Sequence, residues 1–515
     1  MSENLKRGLQ GIFNREYFLQ SLRERPDYDV VIIGGGATGL GVALDAASRG
    51  YRTLLLEQAD FAKGTSSRST KLVHGGVRYL AQGDIRLVYE ALFERGILFR
   101  NAPHLVNMQP FVIPTYHWWG RLLYGTGLKI YDWMSWRYRF SRTSLLGRKA
   151  VASLLPNIET KGLRGGVLYY DGQFDDARLA INLAQTSAEQ GAHLINYMKV
   201  VELVKDDGGK VRGVKALDME GGGEYIVSAK AVVNATGVFV DDVLRMNASG
   251  QDPLVRPSQG VHIVLDRSFL EGSSALMIPS TEDGRVLFAV PWHDHLLAGT
   301  TDTPLEKHSL EPVALAQEVD FILNTLQQYL VKKPRKKDIL SVFAGLRPLA
   351  AEGNRNGKTK EISRSHKLMT APSGLVTITG GKWTTYRKMA EDTLDEVIRV
   401  SGLQTAPCVT ASMKIHGYEG EPAAGDPLRV YGSDAALIRA LAQERPDLNR
   451  RLHDAFPCTA AEVVWAVRQE MARTVEDVLA RRLRILFLNA RVAVAMAPAV
   501  AALMARELGR DSAWE

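Results

Sequence analysis

Two cysteines, Cys408 and Cys458, are all that the 515 residues contain, and no pairing of them has metal-ligand spacing. That argues against a disulfide framework, an iron–sulfur cluster or a zinc site, and it fits a reducing compartment. No apolar run reaches 18 residues. The nearest, 492–505, is short and interrupted by Pro498, so a membrane-spanning helix is not expected. The opening residues, MSENLKRGLQ, lack the apolar stretch of a secretion signal, so the body of the protein is expected to face the cytoplasm. No D-x-D-x-D-G loop occurs, and calcium control is not expected. Disorder is a poor reading of 45% hydrophobic and 23% charged residues, and the length implies two or three domains. Acid is outnumbered by base, with a formal net charge of +7. Such an excess serves nucleic acid, an anionic membrane or an anionic small substrate, and its placement must choose among them.

The pattern sharpens after a polar lead, 1–27. Residues 29–33 (DVVII) read as a buried strand, 38–49 as a helix with small residues toward a sheet, and 52–56 as a second strand ending at Glu57. Between strand and helix lies Gly34-Gly35-Gly36-Ala37-Thr38-Gly39, a G-x-G-x-x-G in the position that dinucleotide binding requires. Gly34 permits the turn, Gly36 lets backbone approach a pyrophosphate, and Gly39 lets helix and strand pack closely. The helix start then offers unpaired N–H groups to phosphate. Glu57, 23 residues after Gly34, is placed to accept ribose hydroxyls, which disfavours NADP. Thr38 opens the helix beside them. A purely structural glycine turn is the plainer alternative, but strand, helix and acid together favour a dinucleotide. A position so near the start favours FAD. Residues 64–71 (GTSSRSTK) supply hydroxyls for phosphate or ribityl oxygens, and alone they would read as a solvated loop. Further on, a helix is expected over about 175–190, and strands near 193–204, 211–218 and 224–234. The stretch 258–300 reads as β-rich, and a helix covers 384–400. After about 404 the composition turns to Ala, Leu, Arg and Glu at helical spacing.

TSSRSTKLVHGGVRYL following IIGGGATGLGVALDAASRG, together with GGKWTTYRKMAE at 380–391, resembles the flavin-linked, quinone-coupled glycerol-3-phosphate dehydrogenase family. DDARL at 175–179, VNATG at 233–237, GTTD at 299–302 and GLRPL at 345–349 add to the likeness, which spans roughly 28–400 and continues more loosely beyond. The resemblance implies an α/β fold. A Rossmann-like FAD domain would be assembled from separated stretches within 28–404, with a β-rich substrate domain interleaved at roughly 85–165 and 258–345. A helical cap would cover 405–515. By the same resemblance Gly34, Gly36, Gly39 and Glu57 hold the ADP part, and Thr65, Ser66 and Ser67 form the hydroxyl loop. His74 lies by the flavin ring, Val200 faces adenine, and Ala235, Thr236 and Gly237 make a second contact. Gly381, Lys382 and Thr384 sit at a helix start that stabilises negative charge on reduced flavin.

The implied reaction is oxidation of sn-glycerol 3-phosphate to dihydroxyacetone phosphate, with hydride passing from C2 to FAD and electrons to a quinone. A phosphomonoester dianion needs cations. The resemblance points to Arg347, Arg364 and Lys382, with Arg78 and Tyr79 closing the other side and His262 as active-site histidine. Without the motifs, the arginines would read as solvated charge and His262 as a satisfied core residue. His262 is the first choice for base because imidazole titrates near working pH, and His74 the second. Arg347 and Lys382 are expected beside the developing alkoxide. His293 and His295 read as surface residues. A glycerophosphate oxidase using oxygen and a flavin-binding sensor without catalysis are the competing readings.

Residues 118–149 hold Trp118, Trp119, Trp133 and Trp136, four of the eight tryptophans, with seven basic residues against Asp132 alone. Aromatics interleaved with basic residues at helical spacing suit the interface of an anionic bilayer, and an amphipathic helix on the protein's own core is the alternative. Peripheral attachment at the cytoplasmic face and a quinone acceptor follow, whereas nucleic acid has no role beside a flavin. Thr474-Val475-Glu476-Asp477 reads as a capping-box start to a cap helix whose role is stability or a homodimer contact.

Overall fold

The β-branched run 29–33 is buried on both faces because helices cover the parallel sheet it belongs to. The computed structural model describes residues 13–76, 84–117, 120–134, 142–248, 250, 252–282, 284–350, 366–423 and 425–515. Strand Asp27–Ile33 pairs in parallel with Thr53–Leu56 on one side and Glu224–Asn234 on the other. Among the described residues the sheet runs His366–Thr370, Val376–Gly380, Glu224–Asn234, Asp27–Ile33, Thr53–Leu56, His193–Ile195, with Met198–Lys205 and Val211–Asp218 attached as a hairpin. Helix Ala37–Ser48 returns across this sheet and packs on helix Tyr386–Ser401, where Gly41 leaves room for Tyr386 and Ala390. Segments more than 300 residues apart thus make one domain.

The second sheet is mainly antiparallel and carries the other half of the site. It includes Gly165–Phe174, paired along its length with Val106–Thr115, and it extends to Val255–Asp266 and Ile339–Ala350. These strands reach past the expected ranges of 85–165 and 258–345. Gly165–Phe174 is buried along most of its length, and only tertiary pairing assigns it to this sheet. His293 is exposed, as expected, and its Nε2 lies 3.3 Å from the buried Asp175 carboxylate.

From 435 onward the chain is largely helical and packs on the second sheet through Trp292, Leu297 and Phe343. Thr474 and Asp477 do cap each other: the Asp477 N–H donates to Thr474 Oγ1 (3.3 Å) and the Thr474 N–H to Asp477 Oδ2 (2.9 Å). The turn they open, Asp477–Arg482, is a π-helix, which turns Arg481 and Arg482 inward. Asp60, just after the second strand, accepts from Arg481 Nε (2.5 Å) and from both Arg482 terminal nitrogens (2.7 and 2.9 Å). Against the cost of burial, these guanidiniums hold the Asp60 carboxyl down at about 2. Arg178 and Glu470 form a second fully buried pair at 2.7 Å. The cap is therefore bolted to the dinucleotide domain by charge. Asp60→Ala removes the carboxylate shared by two buried guanidiniums, leaving Arg481 to Glu476 and Asp477 and Arg482 to Glu470, and should cost about 3 kcal/mol. Its expected effects are an earlier unfolding transition and faster proteolysis between the cap and the rest. An unchanged transition would contradict this.

Candidate active site

The glycine turn opens into a cleft of 470 Å³. Gly34, Gly36, Thr38, Glu57, Thr65, Ser66, Val200, Ala235, Thr236, Gly237, Gly381 and Lys382 all line it. Gly34 has φ +110°, and a Cβ there would lie 2.7 Å from the Ala235 carbonyl oxygen. A Cβ on Gly39 would fall 1.9 Å from the Gly34 oxygen, so this third glycine serves packing and does not touch the cleft. Gly36 caps helix Ala37–Ser48 with no side-chain acceptor of its own, and the Ala37 N–H donates instead to Ser66 Oγ at 2.9 Å, which brings Ser66 to the helix start beside the cleft. At one end Glu57 accepts the N–H groups of Gly35 (2.6 Å) and Ala59 (2.9 Å). Burial raises its pKa, and those two donors pull it back. At the other end are Lys382 and Trp383, whose indole donates to the Ser66 carbonyl at 2.8 Å. A glycine cradle, a helix start facing the cleft with Ser66 beside it, and a distal carboxylate fit the FAD that the resemblance implies.

The hydroxyl segment 64–71 is not a solvated loop. Ser67 is fully buried and does not line the cleft. Its carbonyl accepts from Lys71 Nζ (2.7 Å) and Arg484 (3.3 Å). Lys71 is sealed from solvent, paired with Asp176 at 2.7 Å and surrounded by the rings of Trp292, Phe343 and Phe487. Burial pushes its ammonium down to about 7, against the pull of Asp176.

Beyond Lys382 the cleft meets a 210 Å³ pocket, which shares Thr65, Pro348, Gly380, Gly381, Lys382 and Trp383 with it. Arg68, Thr70, His74, His262, Arg347 and Thr384 are among its other lining residues. A third cavity of 170 Å³ shares Thr70, Leu72, His74 and Arg347 with it and adds Asp171, Arg285, Thr300 and Asp302. His262 and Arg347 come from antiparallel neighbours, Val255–Asp266 and Ile339–Ala350, in a register that sets Ser258 against Arg347 and His262 against Phe343. Arg347 donates to Thr300 Oγ1 (2.8 Å) and the Thr301 carbonyl (3.0 Å) and pairs with Asp302 at 3.3 Å. It is thus held in a fixed pose, with Asp302 offsetting part of its charge. Thr384 exchanges hydrogen bonds with the His74 backbone at 3.2 and 3.3 Å.

His262 corrects the reason for choosing it. Its Nε2 lies 2.9 Å from Thr70 Oγ1 and its ring stacks on Phe343 at 5.1 Å. Burial first, then the Lys71 and Arg347 charges, hold its pKa well below the usual 6.5. That favours the neutral imidazole, which lines the 210 Å³ pocket itself and is linked to the 170 Å³ one through Thr70. Arg285, Thr300 and Asp302 are site residues that the sequence reading did not single out, and Thr70, read as a cofactor hydroxyl, lines the two smaller pockets instead. Arg285 stands in RVLFAVPW and Thr300 in GTTD, strings whose strand character and motif were legible without their side-chain directions. Arg78, Tyr79 and Arg364 lie outside the described residues.

Residues 29–387 match the FAD dependent oxidoreductase family model, and 376–514 match the C-terminal domain of alpha-glycerophosphate oxidase. The chain is similar to the probable mitochondrial glycerol-3-phosphate dehydrogenase of Caenorhabditis elegans, at 40% identity over 100% of this chain and 75% of the relative. The human mitochondrial glycerol-3-phosphate dehydrogenase is 39% identical over 97% and 73%. Among solved structures, the glycerol-3-phosphate dehydrogenase of Bacillus halodurans complexed with FAD superposes with TM-score 0.79 at 31% identity, covering 98% of this chain and 95% of that one. The chain belongs to the FAD-dependent glycerol-3-phosphate dehydrogenase family.

A buried neutral His262 makes a prediction about acid. In the unfolded chain it protonates near 6.5, whereas in the fold it resists protonation. The unfolded state therefore binds more protons below 6.5, and stability falls as pH drops through that range. His262→Asn should flatten this slope, read from denaturant unfolding between pH 7 and about 5. An unaltered slope would refute the assignment.

Proposed function

We propose that this chain oxidises sn-glycerol 3-phosphate to dihydroxyacetone phosphate at a membrane surface and delivers the electrons to a quinone. The observation that carries the reading is continuity. The dinucleotide cleft ends at Lys382, where it runs into pockets holding Arg347, Arg285, His74 and the Thr70–His262 pair. FAD held in the cleft would supply the acceptor for the hydride leaving C2. Arg347 and Lys382 bind the phosphate dianion and favour the developing alkoxide. The C2 hydroxyl proton goes either to His74, which faces both pockets, or through Thr70 to His262. The second route must charge an imidazole beside Lys71 and Arg347, so the geometry favours His74.

Attachment rests on helix Gly120–Met134. Its inner face buries Leu128 and Tyr131, and its outer face leaves Leu122 71% and Trp133 76% exposed, with Leu123 and Ile130 beside them. The helix therefore packs on the core and also presents an apolar surface. The neighbouring helix Ile85–Asn101 adds exposed Ile85, Tyr89 and Phe93 at four-residue spacing, a stripe not noticed in the sequence. Trp118, Trp119 and Trp136 lie outside the described residues. No helix among the described residues is long and apolar enough to cross a membrane. Peripheral attachment at the cytoplasmic face is part of this proposal. The match of 376–514 to an oxidase domain keeps oxygen open as acceptor.

Two assays test the reading. Purified protein given sn-glycerol 3-phosphate and a soluble quinone should form dihydroxyacetone phosphate with little peroxide, and Arg347→Met should raise KM at least about tenfold. Stoichiometric peroxide without quinone would instead establish the oxidase. Leu122→Ser combined with Trp133→Ser should reduce flotation with anionic vesicles while leaving turnover with soluble quinone unchanged. Undiminished flotation would remove this helix from the account.

A further inference from the structure

Tyr131 lies on the inner face of helix Gly120–Met134, almost wholly buried, and its hydroxyl joins two parts of the substrate pocket. The Gly75 N–H donates to Tyr131 Oη at 2.7 Å, and the hydroxyl donates to Asp171 Oδ2 at 2.7 Å. An ionised carboxylate only accepts, so these directions are fixed. Asp171 is itself pinned: its Oδ1 takes Arg95 Nη1 at 2.6 Å and the Gly172 N–H at 3.0 Å. Burial, and then the Asp171 charge, push the phenol well above its ordinary range, so it remains a donor. A Cβ on Gly75 would lie 2.6 Å from Tyr131 Oη, so the approach requires glycine there.

His74 lines both small pockets, and Gly76 and Asp171 line the 170 Å³ one. We propose that Tyr131 is a positioning residue for the substrate pocket, holding residues 74–76 against the Asp171 carboxylate through one hydroxyl. The hydroxyl fixes where the His74 imidazole stands relative to Arg347 and to the end of the dinucleotide cleft. Displacement of a reacting group by a fraction of an ångström is enough to slow hydride transfer without abolishing binding. The outer face of the same helix carries Leu122 and Trp133, so the link runs from the exposed apolar surface to the pocket.

The test is anaerobic stopped-flow reduction of the FAD-loaded enzyme by sn-glycerol 3-phosphate. It rests on the proposed substrate, whose own failure would show separately as a wild-type flavin that the compound does not reduce. Tyr131→Phe should lower the limiting reduction rate about tenfold and change the apparent dissociation constant less than about threefold. Asp171→Asn, which alters the acceptor at constant volume, should act in the same direction and covers the case in which Tyr131→Phe folds poorly. Val88→Ala, in the same apolar cluster with no side-chain hydrogen bond to lose, should lower Tm and leave the reduction rate at the wild-type value. A Tyr131→Phe rate within about twofold of wild type would overturn the proposal. So would a Val88→Ala enzyme slowed as much as Tyr131→Phe.

Discussion

The Asp176 carboxylate is the contact on which the arrangement of the site depends. It is fully buried and accepts from Lys71 Nζ (2.7 Å), Ser69 Oγ (2.7 Å) and Arg484 Nη2 (2.7 Å). Those donors come from the hydroxyl segment and from the cap, while Asp176 itself starts helix Asp176–Glu189. A buried carboxylate is tolerable only when such partners are all present. Segment 67–71, the helix and the cap must therefore assemble together. Thr70 inherits its position from that assembly, and through Thr70 so does the His262 side chain.

This dependence explains a chemical feature of the pocket. Arg347, Lys382 and Arg285 line it, and Lys71 stands behind it, sealed against Asp176. They are useful to a dianionic substrate and unfavourable to an imidazolium. His262 is correspondingly held neutral by burial and by two of these charges. Asp302 and Asp176 offset enough of the positive charge to keep the fold viable, and each does so from a buried position.

The dinucleotide half was legible in the sequence because its requirements are local. Gly34, Gly36 and Gly39 act within six residues, and Glu57 follows at the end of the next strand. The second half was legible only through motif resemblance, since His262, Arg347 and Lys382 meet by strand register and by the return of a distant segment. What escaped notice depends on side-chain direction. Lys71 looked like a loop lysine and is sealed among aromatics. Ser67 looked like a cofactor hydroxyl and turns into the core. Tyr131 sat in a stretch read for its tryptophans, and nothing in LKIYDWM shows that its hydroxyl meets Gly75. The pairing of Gly165–Phe174 with Val106–Thr115 is likewise a tertiary fact that alternation does not encode.

The most direct test of the central claim is the visible absorbance of the FAD-loaded protein under anaerobic conditions, before and after sn-glycerol 3-phosphate is added. The account predicts prompt bleaching, with colour restored by a soluble quinone and no bleaching by unphosphorylated glycerol at equal concentration. A flavin that stays yellow with the phosphate ester, or that glycerol bleaches equally well, would contradict the assignment of this cationic pocket to a phosphorylated alcohol.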